Sequence, residues 1–453
     1  MKRRTRFSTL SARISRMVEI EIHGTVHSVS GLELTGEGLG NTAAIGAQVL
    51  VAGRIRGEIV GLEGSRFRVL PYGTWEGVSA GADIRLLGEE ACIRPSLEWQ
   101  GRVLDAFAAP MDRMPLPDGP SDYRLRASPP EAFGRRRVGP KLETGVKAID
   151  VFVPLCRGQR MGIFAGSGVG KSTLMAMLAR QSEVDIVVMA LVGERGREVQ
   201  DFIERDLGKD GLARTVLVVA TSDQPPLTRR QAAWTATAIA EFFRDQGKHV
   251  LLLMDSVTRF AMAQREIGLA AGEPPTTKGY TPTIFSELPR MLERSGPGNS
   301  ARGQGDISAI YTVLVEGDDL SEPISDSVRG ILDGHIILDR RIAEKGRYPA
   351  IDLQRSISRM LPHCHIRAER AIMAAARRGI AIHAENEDLI KVGAYRPGTD
   401  PESDMAASFA PLAEQFLSQK LDHPQSSAES FAQLYGMLTE AGYAIDPAEL
   451  SAQ

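Results

Sequence analysis

The chain has 453 residues, 43% of them hydrophobic and 25% charged, which is the make-up of an ordinary globular protein long enough for two or three domains. Its 54 basic and 57 acidic residues leave a formal net charge of −3, which argues against a general nucleic-acid coat. Three scattered cysteines (Cys92, Cys156, Cys364) exclude a disulfide framework or zinc cage, and with no secretory signal and no apolar run near the roughly 18 residues of a membrane span, a cytoplasmic protein is expected.

Residues 1–17 form a basic tail with Lys2, Arg3, Arg4, Arg6, Arg13 and Arg16, while Phe7, Leu10, Ile14 and Met17 recur at helical spacing. The tail reads either as a solvated terminus or as an amphipathic helix that docks on a partner protein or an acidic lipid surface. Over 18–92 the texture changes. Short alternating or β-branched runs at 18–22, 48–52, 57–61 and 67–70 are punctuated by glycines, and this predicts a small β-barrel concerned with assembly rather than catalysis. A proline-rich connector at 109–120 leads into a central region assigned to 93–361.

There, an apolar run at 160–164 reads as a strand and 174–180 as a helix. Between them lie Ala165, Gly166, Ser167, Gly168, Val169, Gly170, Lys171, Ser172 and Thr173, a phosphate-binding loop. Glycines at alternate positions let backbone N–H groups turn inward as an anion nest, and the following helix adds unpaired N–H groups and its dipole. Lys171 supplies a cation for the outer phosphates, and Ser172 a hydroxyl ligand for magnesium. Ala165 stands where the strict pattern has glycine, and a residue this small fits.

Further apolar runs at 184–192, 215–220 and 249–254 are separated by helical stretches, which predicts a parallel sheet covered on both faces. The last run delivers Asp255 at a strand end, where a carboxylate holds the magnesium shell opposite Ser172, although core strands also end in aspartate without that role. The strand ending at Val192 runs into Glu194 and Arg195, at the sheet edge where ligands bind. Glu194 is the candidate to activate the attacking water and Arg195 to neutralise phosphate charge; a solvated charged turn would carry the same residues. Beyond about 361 the chain turns alanine-rich, with helices expected at 368–381, 408–419 and 427–441, giving a helical C-terminal domain over 362–453. His363 and His365 flank Cys364, but no third ligand is evident and no metal is assigned there.

From about residue 18 the chain resembles the hexameric P-loop ATPases related to the catalytic subunit of rotary ATP synthases, more narrowly the ATPases of type III protein export, and most of all their flagellar branch. The segments that carry this lie at 144–150, 162–172, 192–199, 255–266, 279–289, 312–319 and 329–336. The resemblance implies an α/β, RecA-like P-loop core between an N-terminal β-barrel and a C-terminal helical domain, hydrolysing ATP with Mg2+. It makes Glu194 the water-activating base, Glu198 a second carboxylate near the magnesium waters and Arg259 a cation near the terminal phosphate. Tyr348 would pack on adenine and Tyr395 on its other side. Arg359 would be a finger reaching into the neighbouring subunit's site, so that a homohexamer is a condition of full activity. The loop over 265–280 would face the ring's channel. Implied partners are a stator or regulator protein at the tail, a central stalk protein, the membrane export gate and exported substrate–chaperone complexes, at the inner membrane's cytoplasmic face. Alternatives are a virulence-injectisome ATPase, a rotary synthase subunit, a non-hydrolysing ring subunit, or a nucleic-acid translocase, which the acidic balance disfavours.

Overall fold

The computed structural model describes residues 21–450 other than 89, 90, 316 and 318; the basic tail and its candidate docking helix lie outside them. Among the described residues no helix is long and apolar enough to cross a membrane. The chain forms two compact units, one running to Ala91 and including Ile267–Glu273, the other made of Cys92–Glu266 and the residues from Pro274 onward.

The first unit is a closed barrel of six strands, β1 (His23–Ser30), β2 (Glu33–Glu37), β3 (Gln48–Val51), β4 (Ile55–Glu63), β5 (Arg66–Pro71) and β6 (Asp83–Gly88), joined in the order β1-β2-β5-β4-β3-β6. Alternation sends Val26, Leu34, Val49, Val51, Ile59, Phe67, Val69 and Ile84 into its interior, and closure leaves no unpaired edge. Three of the expected runs are β3, β4 and β5. Of the run at 18–22, the described residues 21 and 22 lie outside any strand. The strands β1 and β2 escaped the sequence reading because few of their residues are apolar, β1 burying only Gly24 and Val26; β6 was not singled out either, its Ile84, Leu86 and Leu87 making no strict alternation.

The second unit is built on a nine-stranded sheet. Eight of its strands are β7 (Val103–Asp105), β8 (Arg160–Ala165), β9 (Ile186–Glu194), β10 (Thr215–Thr221), β11 (His249–Asp255), β12 (Asp306–Leu314), β13 (Gly334–Leu338) and β14 (Ile351–Ser358). They follow the order β14-β13-β8-β12-β11-β9-β10-β7, and Gly296–Pro297 pairs beside β12. Along that path every pairing is parallel except β13 with β14. The C-terminal ends of β8, β9, β11 and β12 therefore gather at one edge, and they deliver Ala165, Glu194, Asp255 and Leu314 there. The helices include α1 (Lys147–Phe152), α2 (Lys171–Gln181), α3 (Pro226–Asp245) and α4 (Val257–Ala270), followed by α5 (Arg367–Lys391), α6 (Pro401–Leu417) and α7 (Ser427–Glu440).

Two packing features bear on stability. Phe409 and Phe416 of α6 and Phe431 and Leu434 of α7 belong to the same apolar cluster as Phe152, Met161, Leu174 and Met189 of the sheet unit, with Phe152 and Phe416 meeting edge to face at 6.4 Å. The helical segment thus shares the core of the sheet, even though composition changes sharply near 361. The second feature is a buried ion pair: the guanidinium of Arg294, 2% exposed, grips the Glu241 carboxylate on α3 at 2.9 and 2.6 Å.

Candidate active site

The loop between β8 and α2 takes its shape from its glycines. Gly168 and Gly170 have φ of +78° and +89°, a left-handed backbone that a side chain disfavours, and Gly170 is the residue from which α2 begins. The first-turn N–H groups of α2 point out of the helix and are available to phosphate oxygens. Val169, by contrast, turns its side chain into the core and serves the loop through its backbone.

The loop floors a cavity of about 1030 Å³ at the sheet's C-terminal edge. Ala165, Gly166, Ser167, Gly168, Gly170, Lys171, Ser172 and Thr173 line it, together with Glu194, Arg195, Glu198 and Arg259. Thr258, Glu322 and Arg340, which no sequence pattern singles out, line it too, as do Arg265, Lys278 and Tyr280 of the loop expected to face the ring's channel. Arg340 donates to the Ser167 carbonyl at 3.4 Å, and no local pattern marks it in the sequence. Lys171 and five of these surrounding basic side chains outnumber the carboxylates of Glu194, Glu198 and Glu322, a balance suited to a polyphosphate.

At the centre, the Lys171 ammonium is hydrogen-bonded to Asp255 Oδ1 and lies 3.6 Å from Glu194 Oε1. Burial works against its charge, but the carboxylates of Asp255 and Glu194 outweigh that and hold its pKa above the ordinary lysine value. Glu194 is raised above the ordinary carboxylate value, first by burial and then by the charge of Asp255, while Lys171 and Arg259 pull the other way. Its Oε1 is buried without a hydrogen-bond partner. Asp255 is 4% exposed, and its Oδ1 also accepts the Thr312 hydroxyl at 2.7 Å.

Gly193, at φ +71°, brings the backbone before Glu194 against Arg259: a Cβ there would stand 3.1 Å from the arginine's own Cβ. The Nε of Arg259 is buried with no partner, so the guanidinium is held at the cavity wall with hydrogen-bonding capacity to spare. Arg195 and Glu198 are largely exposed and 3.5 Å apart. The donor set fits a magnesium ion: the Ser172 hydroxyl and the Glu198 carboxylate line the cavity, and with the Asp255 carboxylate beside Lys171 they are hard oxygen ligands of the kind that ion accepts.

Outside the cavity lining, the remaining expected residues fall in three places. The Tyr348 ring lies against the loop, 3.1 Å from where a Cβ on Gly170 would sit, and is 43% exposed. Its carbonyl accepts from Gln419 N–H at 2.8 Å, and the Gln419 side chain accepts from Lys147 N–H at 2.9 Å. Arg359 is exposed just past β14, its N–H bonded to the Asp333 carbonyl at 3.0 Å. Tyr395 is engaged elsewhere: its hydroxyl donates to Asp404 at 2.5 Å, and Gly398 N–H donates to the same carboxylate at 2.7 Å, so the ring braces the entry to α6.

A parallel sheet with a phosphate loop after β8, a carboxylate at the end of β11 and a second one at the end of β9 defines a P-loop ATPase. Residues 145–358 match the ATP synthase alpha/beta family, nucleotide-binding domain, and residues 367–436 match the T3SS EscN ATPase C-terminal domain. The flagellum-specific ATP synthase of Caulobacter vibrioides is 51% identical over 96% of this chain and 100% of its own length. That of Bacillus subtilis is 49% identical over 91% and 94%. Among solved structures, the assembled ATPase EscN from the enteropathogenic E. coli type III secretion system superposes with a TM-score of 0.86 at 40% identity, covering 92% of this chain and 100% of EscN. EscN has also been solved in complex with its central stalk EscO. The chain belongs to the flagellum-specific ATP synthase family, the flagellar branch of the type III export ATPases.

Proposed function

We propose that the chain hydrolyses ATP to energise the export of flagellar proteins, working as a homohexamer whose active sites are shared between adjacent subunits. The loop's N–H groups and Lys171 take the phosphates, and Tyr348 packs on adenine. Lys171 exchanges its hydrogen bond to Asp255 and its ion pair with Glu194 for bonds to phosphate oxygens, which frees the Glu194 carboxylate to orient a water in line with the terminal phosphorus and draw off its proton. As the new O–P bond forms and the bond to ADP breaks, Arg195 and Arg259 of the same subunit face the spreading negative charge, and Arg359 reaches in from the next subunit. Ser172, Asp255 and Glu198 would hold magnesium, which when bound neutralises phosphate charge.

The reading extends to partners: a central stalk protein, as EscO is for EscN, and, from the family resemblance, a stator or regulator at the basic tail, the membrane export gate and substrate–chaperone complexes. On this reading the ring works at the cytoplasmic face of the inner membrane.

One observation carries the mechanism: a lysine shared by two carboxylates, one of which keeps a buried oxygen without a hydrogen-bond partner. The test is Glu194→Gln. It should bind nucleotide with wild-type affinity, measured by fluorescence of an ADP analogue, while losing ATP turnover by at least about 10²-fold. Retention of most of the rate would refute it.

A further inference from the structure

We infer that Thr312 is a positioning residue for ATP hydrolysis, holding the Asp255 carboxylate in place once Lys171 has moved to the phosphates. The inference rests on the proposed ATP chemistry of this site.

The geometry begins with strand order. β12 lies between β8, which leads into the phosphate loop, and β11, which ends in Asp255. Ile163 pairs with Thr312 across one side of β12, and Met254 with Tyr311 across the other, so the register sets Thr312 next to Asp255. Thr312 is fully buried, and its Oγ1 donates to Asp255 Oδ1 at 2.7 Å. Two residues on, Leu314 N–H donates to Thr258 Oγ1 at 2.8 Å, which ties the end of β12 to the start of α4, the helix that carries Arg259. One strand therefore grips both the carboxylate and the helix behind it.

Both donors to Asp255, the Lys171 ammonium and the Thr312 hydroxyl, converge on Oδ1. Oδ2 takes neither of these two bonds. When nucleotide draws Lys171 off, the carboxylate loses its cation, and the Thr312 hydroxyl is the donor left to fix its rotation. A buried aspartate without that donor would turn, and Oδ2 would no longer be presented to a metal ion arriving with the phosphates. A charge-assisted hydrogen bond of this kind corresponds to roughly a tenfold effect or more.

The test compares Thr312→Val, which keeps shape and removes the hydroxyl, with Thr312→Ser, which keeps the hydroxyl. Two quantities are read: the factor by which Mg2+ tightens binding of a fluorescent ADP analogue, and the steady-state constants for ATP. Wild type and Thr312→Ser should share the Mg2+ factor and kcat. Thr312→Val should lose about tenfold in both, with KM for ATP changing by less than about threefold, since the loop and Lys171 still bind the phosphates. If Thr312→Val proves insoluble, Thr312→Ala, which introduces no new bulk, takes its place. A valine or alanine variant with the wild-type Mg2+ factor and kcat overturns the inference, as does a serine variant that falls with them, because the loss would then follow packing rather than the hydroxyl. Failure of the proposed function looks different: the wild-type protein itself would not turn over ATP.

Discussion

Replacing Gly193 by alanine should impair catalysis through a contact that no ligand makes. Two costs arise from the one methyl group. The first is backbone strain: at φ +71° an alanine costs about 1–2 kcal/mol, which in a unit of this size lowers the melting temperature by about 1–3 °C. The second is specific to this site. The new Cβ would stand 3.1, 3.2 and 3.4 Å from Cβ, Cγ and Cδ of Arg259, so the arginine has to give by a few tenths of an ångström, and the residue that follows the substitution is Glu194. A displacement approaching an ångström in catalytic positioning is associated with losses of about 10²-fold in rate. Gly303 supplies the control, since it has a left-handed backbone at φ +67° and an added Cβ there meets nothing within 4 Å. Gly303→Ala should show the melting shift alone, while Gly193→Ala should show a similar shift together with a kcat about 10–100-fold lower. Equal melting temperatures with an undiminished kcat in Gly193→Ala would refute the argument that Arg259 is seated by the bare backbone at 193.

Arg359→Ala should bind nucleotide at wild-type affinity and lose about 10³-fold or more in rate in the assembled state, a comparison made by binding and turnover on the same samples; a fully active, demonstrably monomeric variant would rule out a shared site. The pH dependence of kcat/KM tests Glu194 from another side. Its pKa is raised above the ordinary carboxylate value, and it acts as a base only when deprotonated, so the rate should fall on acidification through a pKa above 4.5. An acid limb at or below 4.5 would contradict the burial argument. Arg294→Met strands the Glu241 carboxylate in the interior and should cost about 3–5 kcal/mol in denaturant unfolding, most of it recovered by adding Glu241→Leu. If the single variant is as stable as wild type, the pair is not a buried staple.

The parts of this molecule that were legible in the sequence are those where one local run carries the whole message. The phosphate loop is such a run, because strand, turn and helix are consecutive. So are the strands β9, β10 and β11, whose continuous apolar residues answer to burial on both faces. The strands β12, β13 and β14 were not seen as strands. β12 interleaves Ser308, Tyr311 and Thr312 with its apolar residues, because those hydroxyls have partners: Ser308 on Gly158 N–H, Tyr311 on Ser295, Thr312 on Asp255. Such bonds join residues 16 to 150 positions apart, and only strand order brings them together. The long helix α5 runs to Lys391, ten residues beyond the stretch read from composition, and passes through Gly379, where a Cβ would meet the Tyr443 hydroxyl at 2.8 Å. There glycine marks a close crossing rather than an end. Tyr395 illustrates the opposite difficulty: an aromatic in a loop near a nucleotide motif looks the same in sequence whether it faces a base or, as here, bonds to a helix-entry aspartate.

Gln419 lies just beyond α6, and it holds the carbonyl of Tyr348 with its backbone and Lys147 N–H with its side chain. The ring of that tyrosine abuts the phosphate loop, so the end of α6 is mechanically linked to the pocket. A load applied to α6 by a bound ligand has a path to the phosphate loop through Gln419, beside the Arg347–Glu414 ion pair and the shared apolar core. By reciprocity, whatever such a ligand does to nucleotide affinity, nucleotide does in equal measure to the ligand's own hold.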